Sequence, residues 1–290
     1  MASWQNILKT FSELGKVKIT FAVALTTVTG FLLSKGAFDA SIILPTLGIF
    51  LLACGSSAIN HYQERDTDAM MERTRHRPIP SGGISPTGAL IFAFVLSAAG
   101  AWLLYFSSGF IGMQLGLLAL IWYNVIYTPL KKKTAFAVVP GAFIGSIPPL
   151  VGWVAAGGSL GDPRAIFMAF FFFIWQVPHF WLLMLKFGEE YTRAGFPSIT
   201  GIYSNRQIKN ITFIWIVATA VAALMLPAFN VVESWVVIIG LFISSFWLVG
   251  QFTRLLRNNE LPFSPIRYFM KINYFVLAVI IFLSLDRFIN

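Results

Sequence analysis

Nine apolar runs of about 18–25 residues, joined by short polar connections, constrain this chain more than any other feature. They lie at roughly 17–35, 40–60, 87–106, 110–128, 136–156, 165–186, 209–228, 233–252 and 268–286. Each is long enough to cross the hydrocarbon core of a bilayer as a helix. A backbone in that core has no water to bond, so each run must satisfy its own N–H and C=O groups, which a helix does. Composition agrees: 57% of the residues are hydrophobic and 11% charged, against about 25% charged in soluble domains. The expected fold is all-α, a polytopic membrane bundle of about nine transmembrane helices formed by residues 1–290 as one domain. No repeat period, low-complexity tract or separate soluble domain is visible.

Charge sets the expected orientation. With the N-terminus in the cytoplasm, only Lys35, Arg164 and Arg287 of the 21 Lys and Arg fall outside. That is the asymmetry of the positive-inside rule, and it puts the C-terminus outside. The net charge of +9 is thereby explained as a topology signal and calls for no nucleic-acid partner. The first run starts only after residue 16, too late and too long for a cleavable signal peptide. Residues 1–16 form an N-terminal cytoplasmic segment with Lys9 and Lys16 among apolar residues, a pattern suited to the membrane surface. The lone Cys54 sits inside the second run and has no partner for a disulfide or a CxxC site.

The two longest polar segments, 61–86 and 187–208, are both on the cytoplasmic side, and the first is chemically dense. It carries Glu64, Asp66, Asp68 and Glu72 with Arg65, Arg73, Arg75 and Arg77. Such a segment reads either as a solvated connector laced with ion pairs or as a metal–diphosphate site. Spacing favours the second reading for Asn60, Glu64 and Asp68. On a helix these positions advance by roughly 40° per step, so their side chains share one face. A carboxylate at the end of a membrane helix is costly without a charged neighbour. Three oxygen donors suit Mg²⁺, which would bridge phosphate oxygens while arginines take the remaining charge. Asp66 points to the other side of the same helix. The Arg77–Gly83 run, with two prolines and two glycines, ends the helix in a turn.

Three further stretches stand out. Lys131, Lys132 and Lys133 follow the fourth span; they read as a positive-inside anchor or as a clamp for a diphosphate leaving group. Lys186 to Gly195 closes the sixth span with Glu189, Glu190, Tyr191 and Arg193, a candidate second metal or phosphate site. Inside the sixth span lies Trp175-Gln176-Val177-Pro178-His179-Phe180-Trp181. Pro178 frees a carbonyl, and an imidazole within a span is a functional candidate as well as a packing residue.

These residues resemble the UbiA superfamily of intramembrane prenyltransferases, over about residues 15–285. The resemblance rests first on Asn60-x3-Glu64-x3-Asp68 followed by Arg73-Thr74 and Arg77-Pro78-x-Pro80-Ser81-Gly82. Within the superfamily the chain is most similar to the protoheme IX farnesyltransferases (heme o synthases). That narrower likeness is carried by Tyr127-Thr128 with Leu130-Lys131, Gly145-x-x-Pro148-Pro149-x-x-Gly152-Trp153, Trp175-Gln176-x-Pro178-His179-Phe180 and Tyr191-x-Arg193-Ala194-Gly195-x-Pro197. Three positions depart from the pattern: Glu64 replaces an Asp, Ala137 an Asn and Pro140 a Gly. The second Asp-rich motif of the superfamily is reduced to Glu189-Glu190-Tyr191.

The resemblance implies a helical bundle around a central cavity, capped by the loops 61–86 and 187–208; a compact chain without an evident transit sequence suggests a bacterial inner membrane. It implies farnesyl transfer from farnesyl diphosphate to a vinyl group of heme b, giving heme o and diphosphate, with heme b as substrate and Mg²⁺ as cofactor. Asn60, Glu64 and Asp68 would hold the metal. Arg65, Arg73, Arg77 and Lys131, with Lys132, Lys186, Glu190 and Tyr191, would hold the diphosphate. His179 is the candidate heme contact with Gln176 beside it, and His61 and then His76 are alternatives. A downstream heme-modifying or cytochrome oxidase assembly protein would receive the product. Two other readings stand beside it: a prenyltransferase for a quinone precursor or lipid acceptor, and a nine-span transporter or lipid-binding protein.

Overall fold

The computed structural model describes residues 4–257 and 264–289, and among these every regular element is helical. A short helix α1 (Trp4–Leu14) is followed by α2 (Val17–Lys35) and α3 (Ile43–Met70). Helix α4 (Pro86–Ile121) runs through a π-helical stretch, Trp122–Tyr127, into α5 (Thr128–Leu130). Then come α6 (Val138–Ala155), α7 (Pro163–Lys186), the short α8 (Gly188–Arg193), α9 (Asn205–Met225), α10 (Trp235–Arg257) and α11 (Pro265–Ile289). The bundle is inverted relative to a water-soluble protein: Phe94, Trp102, Trp235 and Phe246 are exposed around its outside, while Asn60, Glu64, Asp68 and Asn124 are buried within.

Eight stretches are long and apolar enough to cross a membrane, and one of them, Pro86–Leu130, accounts for two of the nine expected runs. Its helix breaks at Gly109, where φ is 64° and ψ −168°, a backbone conformation open essentially to glycine alone. The chain folds back there with no intervening loop. Leu104 packs against both Gly48 and Gly116, residues that a continuous helix would hold far apart. At the other end, Ala93 and Ser97 lie on Gly55, while Thr128 bonds Asn60. Both ends of α4–α5 therefore meet the same part of α3, so among the described residues this one stretch holds two antiparallel passes.

The segments richest in charge converge at one end of this bundle. Helix α3 runs ten residues past the expected end of its span and carries the polar residues 61–70 as helix. The turns of residues 71–85, the lysine loop and α8 close over it, with Met71 packed on Ala194 and Phe196. Helix α1 lies against the same end, through Leu14 in a cluster with Ala58 and Ala93 and through Phe11 on Phe92. Its outer residues Trp4 and Leu8 stay exposed.

The opposite end is tied by a long-range cap. The fully buried Asp286 of α11 accepts hydrogen bonds from the backbone N–H of Glu233 (3.1 and 3.2 Å) and Ser234 (2.9 Å), just before α10 begins. Arg287 pairs with Glu233 at 3.0 Å. Helix starts leave such N–H groups without partners, and a carboxylate there also favours the helix dipole. Asp286→Ala should lower unfolding stability by about 1–2 kcal/mol, and Asp286→Asn by less. Thermal unfolding of both variants in detergent, against wild type, checks this.

Candidate active site

Asn60, Glu64 and Asp68 occupy one face of α3 and are all buried, at 1, 5 and 0% exposure. Each oxygen donor has a cation of its own, and each cation comes from a different segment. Lys16, at the bend between α1 and α2, donates to Asn60 Oδ1 at 3.1 Å. Lys131, from the loop after α5, pairs with Glu64. Arg77, from the turns after α3, places one guanidinium nitrogen 2.8 and 2.7 Å from the two oxygens of Asp68. The turn that delivers Arg77 is fastened to the helix end by Thr74, whose hydroxyl donates to the Asp68 carbonyl at 2.9 Å.

The π-helical turn brings the second wall. A wider turn leaves carbonyls open, and one of them, Asn124 O, accepts from Gln63 Nε2 at 2.9 Å. Asn124 Nδ2 donates to Ser56 at 2.6 Å, and Asn60 Nδ2 donates to Thr128 at 3.3 Å. The same turn sets Tyr123 and Tyr127 toward Lys131, with the Tyr127 ring stacked on Phe180 of α7 at 5.7 Å. Burial opposes the charge on Lys131, but Glu64 and then the tyrosines outweigh it, so Lys131 stays protonated well above the usual lysine range. For Lys16 the balance goes the other way. Burial, then Arg77 and Lys131, bring it down to about 7 against the pull of Glu64 and Asp68.

A narrow cleft of about 20 Å³ opens beside Lys131, lined by Tyr127, Thr134, Ala137, Met184, Tyr191, Phe196 and Pro197. Ala137, the residue that departs from the family pattern, thus borders the site, and Tyr191 faces it from α8. Pro140, the other departure, accepts Trp122 Nε1 on its carbonyl at 2.8 Å. Arg73 stacks on Phe187 at 4.3 Å with its Nε 3.9 Å from Glu190, joining the turns after α3 to α8.

Other expected residues lie elsewhere. Arg65 stacks on Tyr62 and donates to the Tyr62 carbonyl at 2.8 Å, near the exposed Asp66, so the fold does not bring it to Glu64 and Asp68. Lys132 is exposed, and the exposed Lys186 lies over Phe187 at 4.9 Å. His61 is buried at 2% exposure beside the charges of Lys16 and Arg77. His76 is exposed. His179 lies deeper, with Nδ1 2.9 Å from Asn273 Oδ1 of α11 and its ring between Trp175 (5.0 Å) and Phe269 (4.8 Å). Gln176, one turn away, packs against Gly145 of α6. Lys16 is the site residue that the sequence pattern assigned, with Lys9, to an N-terminal segment on the membrane surface.

Comparison with known proteins decides the family. The UbiA prenyltransferase family profile matches residues 23–275. The chain belongs to the UbiA prenyltransferase family. Among curated relatives of this UbiA-family chain, the protoheme IX farnesyltransferase of Oleidesulfovibrio alaskensis is 34% identical over 98% of both chains. That of Geobacter sulfurreducens is 41% identical over 71% of this chain and 76% of its own. The fold matches a digeranylgeranylglyceryl phosphate synthase structure with a TM-score of 0.77 at 17% identity, covering 97% of this chain and 98% of that one. It also matches a UbiA homolog from Archaeoglobus fulgidus bound to GPP and Mg²⁺, with a TM-score of 0.69 at 14% identity, covering 94% and 98%. Like its family, the chain is an integral membrane protein and an enzyme of prenyl transfer.

Proposed function

We propose that this UbiA-family enzyme transfers the farnesyl group of farnesyl diphosphate to a vinyl group of heme b, giving heme o and diphosphate, with the whole chain acting as one transmembrane catalytic unit. The observation that carries the reading is the cluster on α3, where three cations converge on two carboxylates and an amide. It has an excess of positive charge and three hard oxygen donors, both of which fit a prenyl diphosphate carried with a divalent ion. The narrower choice of substrates rests on the likeness to protoheme IX farnesyltransferases over nearly the full chain.

Mg²⁺ fits the donor set of Asn60, Glu64 and Asp68, because it binds through one or two carboxylates plus substrate phosphates, and when bound it would neutralise charge on the departing diphosphate. The remaining work falls to the chain. Lys131 and Arg77, already fixed beside the carboxylates, stabilise the anion as the carbon–oxygen bond breaks. Arg73, Glu190 and Tyr191 close the site from the loop side. Tyr123, Tyr127 and Phe180 line the way into the bundle and keep water from the reacting carbon. The vinyl carbons of heme supply the electron pair for the new carbon–carbon bond. Water then adds its oxygen to the neighbouring carbon and loses a proton, giving the hydroxyethylfarnesyl group. His179 is the proposed heme contact: with Nδ1 donating to Asn273, its Nε2 keeps the lone pair that meets iron. The charged end of the bundle faces the cytoplasm of a bacterial inner membrane, and a downstream heme-modifying or oxidase assembly protein takes the product.

The test is turnover by the full chain in lipid nanodiscs with Mg²⁺, farnesyl diphosphate and heme b. The expected product is a porphyrin heavier by one farnesyl group and one water in mass spectrometry. Unchanged heme, with transfer to an aromatic or lipid acceptor offered instead, would keep the prenyltransferase and discard the heme assignment.

A further inference from the structure

Two contacts on α6 give the depth of Gln176. A Cβ on Gly141 would meet the Tyr127 ring at 2.6 Å, and one on Gly145 would meet the Gln176 side-chain oxygen at 2.9 Å. Gly145 lies four residues further into the bundle than Gly141. Helix α7 runs the other way and repeats the register: Phe180 stacks on Tyr127, and Gln176 lies four residues deeper than Phe180. Both counts put Gln176 one helical turn, about 6 Å, below Tyr127. Lys131, which pairs with Glu64, lies over that Tyr127 ring at 5.7 Å. The amide therefore stands just beneath the end of the bundle that would take a diphosphate. The α7 face that carries it is closed in the outer half of the bundle, where Ala165 and Ala169 are buried, and partly open at Gln176, Phe180 and Leu183.

The amide is out of place chemically. Among the described residues Gln176 makes no hydrogen bond, which is costly inside an apolar bundle. The helix it packs on is short of partners at the same place. Pro149 has no N–H for the carbonyl of Gly145, four residues before it, and Pro148 has none for that of Ile144. An amide that donates and accepts thus meets a stretch of α6 with freed acceptors. A water molecule in an apolar interior needs two to four polar partners, and this level of the bundle supplies them.

We propose that Gln176 is the water-positioning residue of the reaction: it seats the one water that becomes the hydroxyl of heme o, with the freed carbonyl of Gly145 as a second partner. The inference rests on the farnesyl-transfer reading above and gives Gln176 a water in place of a heme contact. The carbon–oxygen bond at C1 of the farnesyl group breaks, and its electron pair leaves with diphosphate. The terminal vinyl carbon gives its π pair to C1, and the inner vinyl carbon, attached to the porphyrin, becomes cationic. The seated water forms its carbon–oxygen bond there and passes a proton to the departing diphosphate. With no water in place, the cation instead loses a proton from the neighbouring CH₂ and closes to an alkene. A single seat reconciles hydration of this carbon with the aromatic walls that keep bulk water out.

The test is the product of the full chain in lipid nanodiscs with Mg²⁺, farnesyl diphosphate and heme b, read by mass spectrometry. Wild type should give the hydrated product. Gln176→Met keeps the length of the side chain without its polar atoms. It should lower the ratio of hydrated to water-free farnesylated porphyrin at least about tenfold, the scale of one lost hydrogen bond. The water-free product keeps a double bond conjugated with the ring, so its absorption also separates it from heme o. Gln176→Glu, which retains a polar head at the same place, should restore the hydrated product. Gly145→Ala puts a methyl group against the amide and should shift the ratio the same way as Gln176→Met, and it decides the matter if Gln176→Met does not fold. A merely structural Gln176 would lower turnover or stability and leave the ratio alone. A wild-type ratio in Gln176→Met, or in Gly145→Ala where that variant decides, would overturn the inference and leave heme farnesylation standing. Loss of all product together with weakened heme b binding in Gln176→Met would make Gln176 a heme contact and overturn it too. Failure of the wild-type protein to farnesylate heme would overturn both.

Discussion

Asp68→Asn should leave a folded membrane protein with no more than about one per cent of wild-type turnover, the scale of removing one preorganised electrostatic group from a reaction centre. The substitution keeps the shape of the side chain and removes only its charge. Two consequences separate. Arg77 loses the carboxylate it grips through both oxygens, which destabilises the protein. Breaking a fully buried pair costs about 3–5 kcal/mol, and Arg77, at 20% exposure, recovers part of this through solvent. Turnover falls for a different reason: a charged donor on the face that would hold Mg²⁺ becomes a neutral amide, and the arginine is no longer aimed. Glu64→Gln, where Lys131 is the partner, should act alike. Raising Mg²⁺ concentration separates the effects, because it restores turnover in neither variant if both charges are needed, yet does not alter the stability loss. Measuring turnover beside thermal unfolding decides it. Near-normal turnover in Asp68→Asn with an intact fold would remove Asp68 from the site.

The parts of this site legible in the sequence were those encoded within a single helix. Asn60, Glu64 and Asp68 are found by spacing alone, since four-residue steps on a helix repeat one face. Arg65 shows the limit of the same reasoning. It is adjacent to Glu64 in the chain but about 100° around the helix, and it therefore turns to Tyr62 and Asp66. Partners from other segments required the fold. Lys131 and Arg77 read as charges on the right side of the membrane, without a way to tell which carboxylate each would meet. Lys16 read as one of two charges in a membrane-surface segment, because nothing local announces a left-handed bend at a lysine. The nine runs were visible, and the three-residue gap between 87–106 and 110–128 proves to be a break at one residue, Gly109. Asp286 reaches Glu233 and Ser234 across more than fifty positions, and no local pattern encodes that cap.

Gly152→Ala should be among the most destabilising single-methyl additions in the chain, at about 3 kcal/mol or more, the upper part of the range for overpacking. Helices α2 and α6 cross here with their backbones in contact. A Cβ on Gly152 would overlap the carbonyl oxygen of Thr27 and come within 2.8 Å of Phe31 N; one on Gly30 would overlap the carbonyl of Pro149. In both cases the obstacle is backbone, so no side-chain rotation relieves it. Small residues at such crossings are how membrane helices gain close packing without a hydrophobic driving force. Gly250→Ala supplies the control, because a Cβ there meets nothing within 4 Å and replaces a poor helix former with a good one. It should leave unfolding unchanged or raise it slightly. The effect of Gly152→Ala should also reach the site. Helix α2 begins next to Lys16 and α6 follows the loop that holds Lys131, so forcing the two helices apart separates the cations that meet over α3. The expected signature is a lower unfolding temperature together with weaker binding of farnesyl diphosphate, measured on the same preparation. A Gly152→Ala protein that unfolds at the wild-type temperature would mean that the crossing has slack, and that the site's cations are positioned by their loops alone.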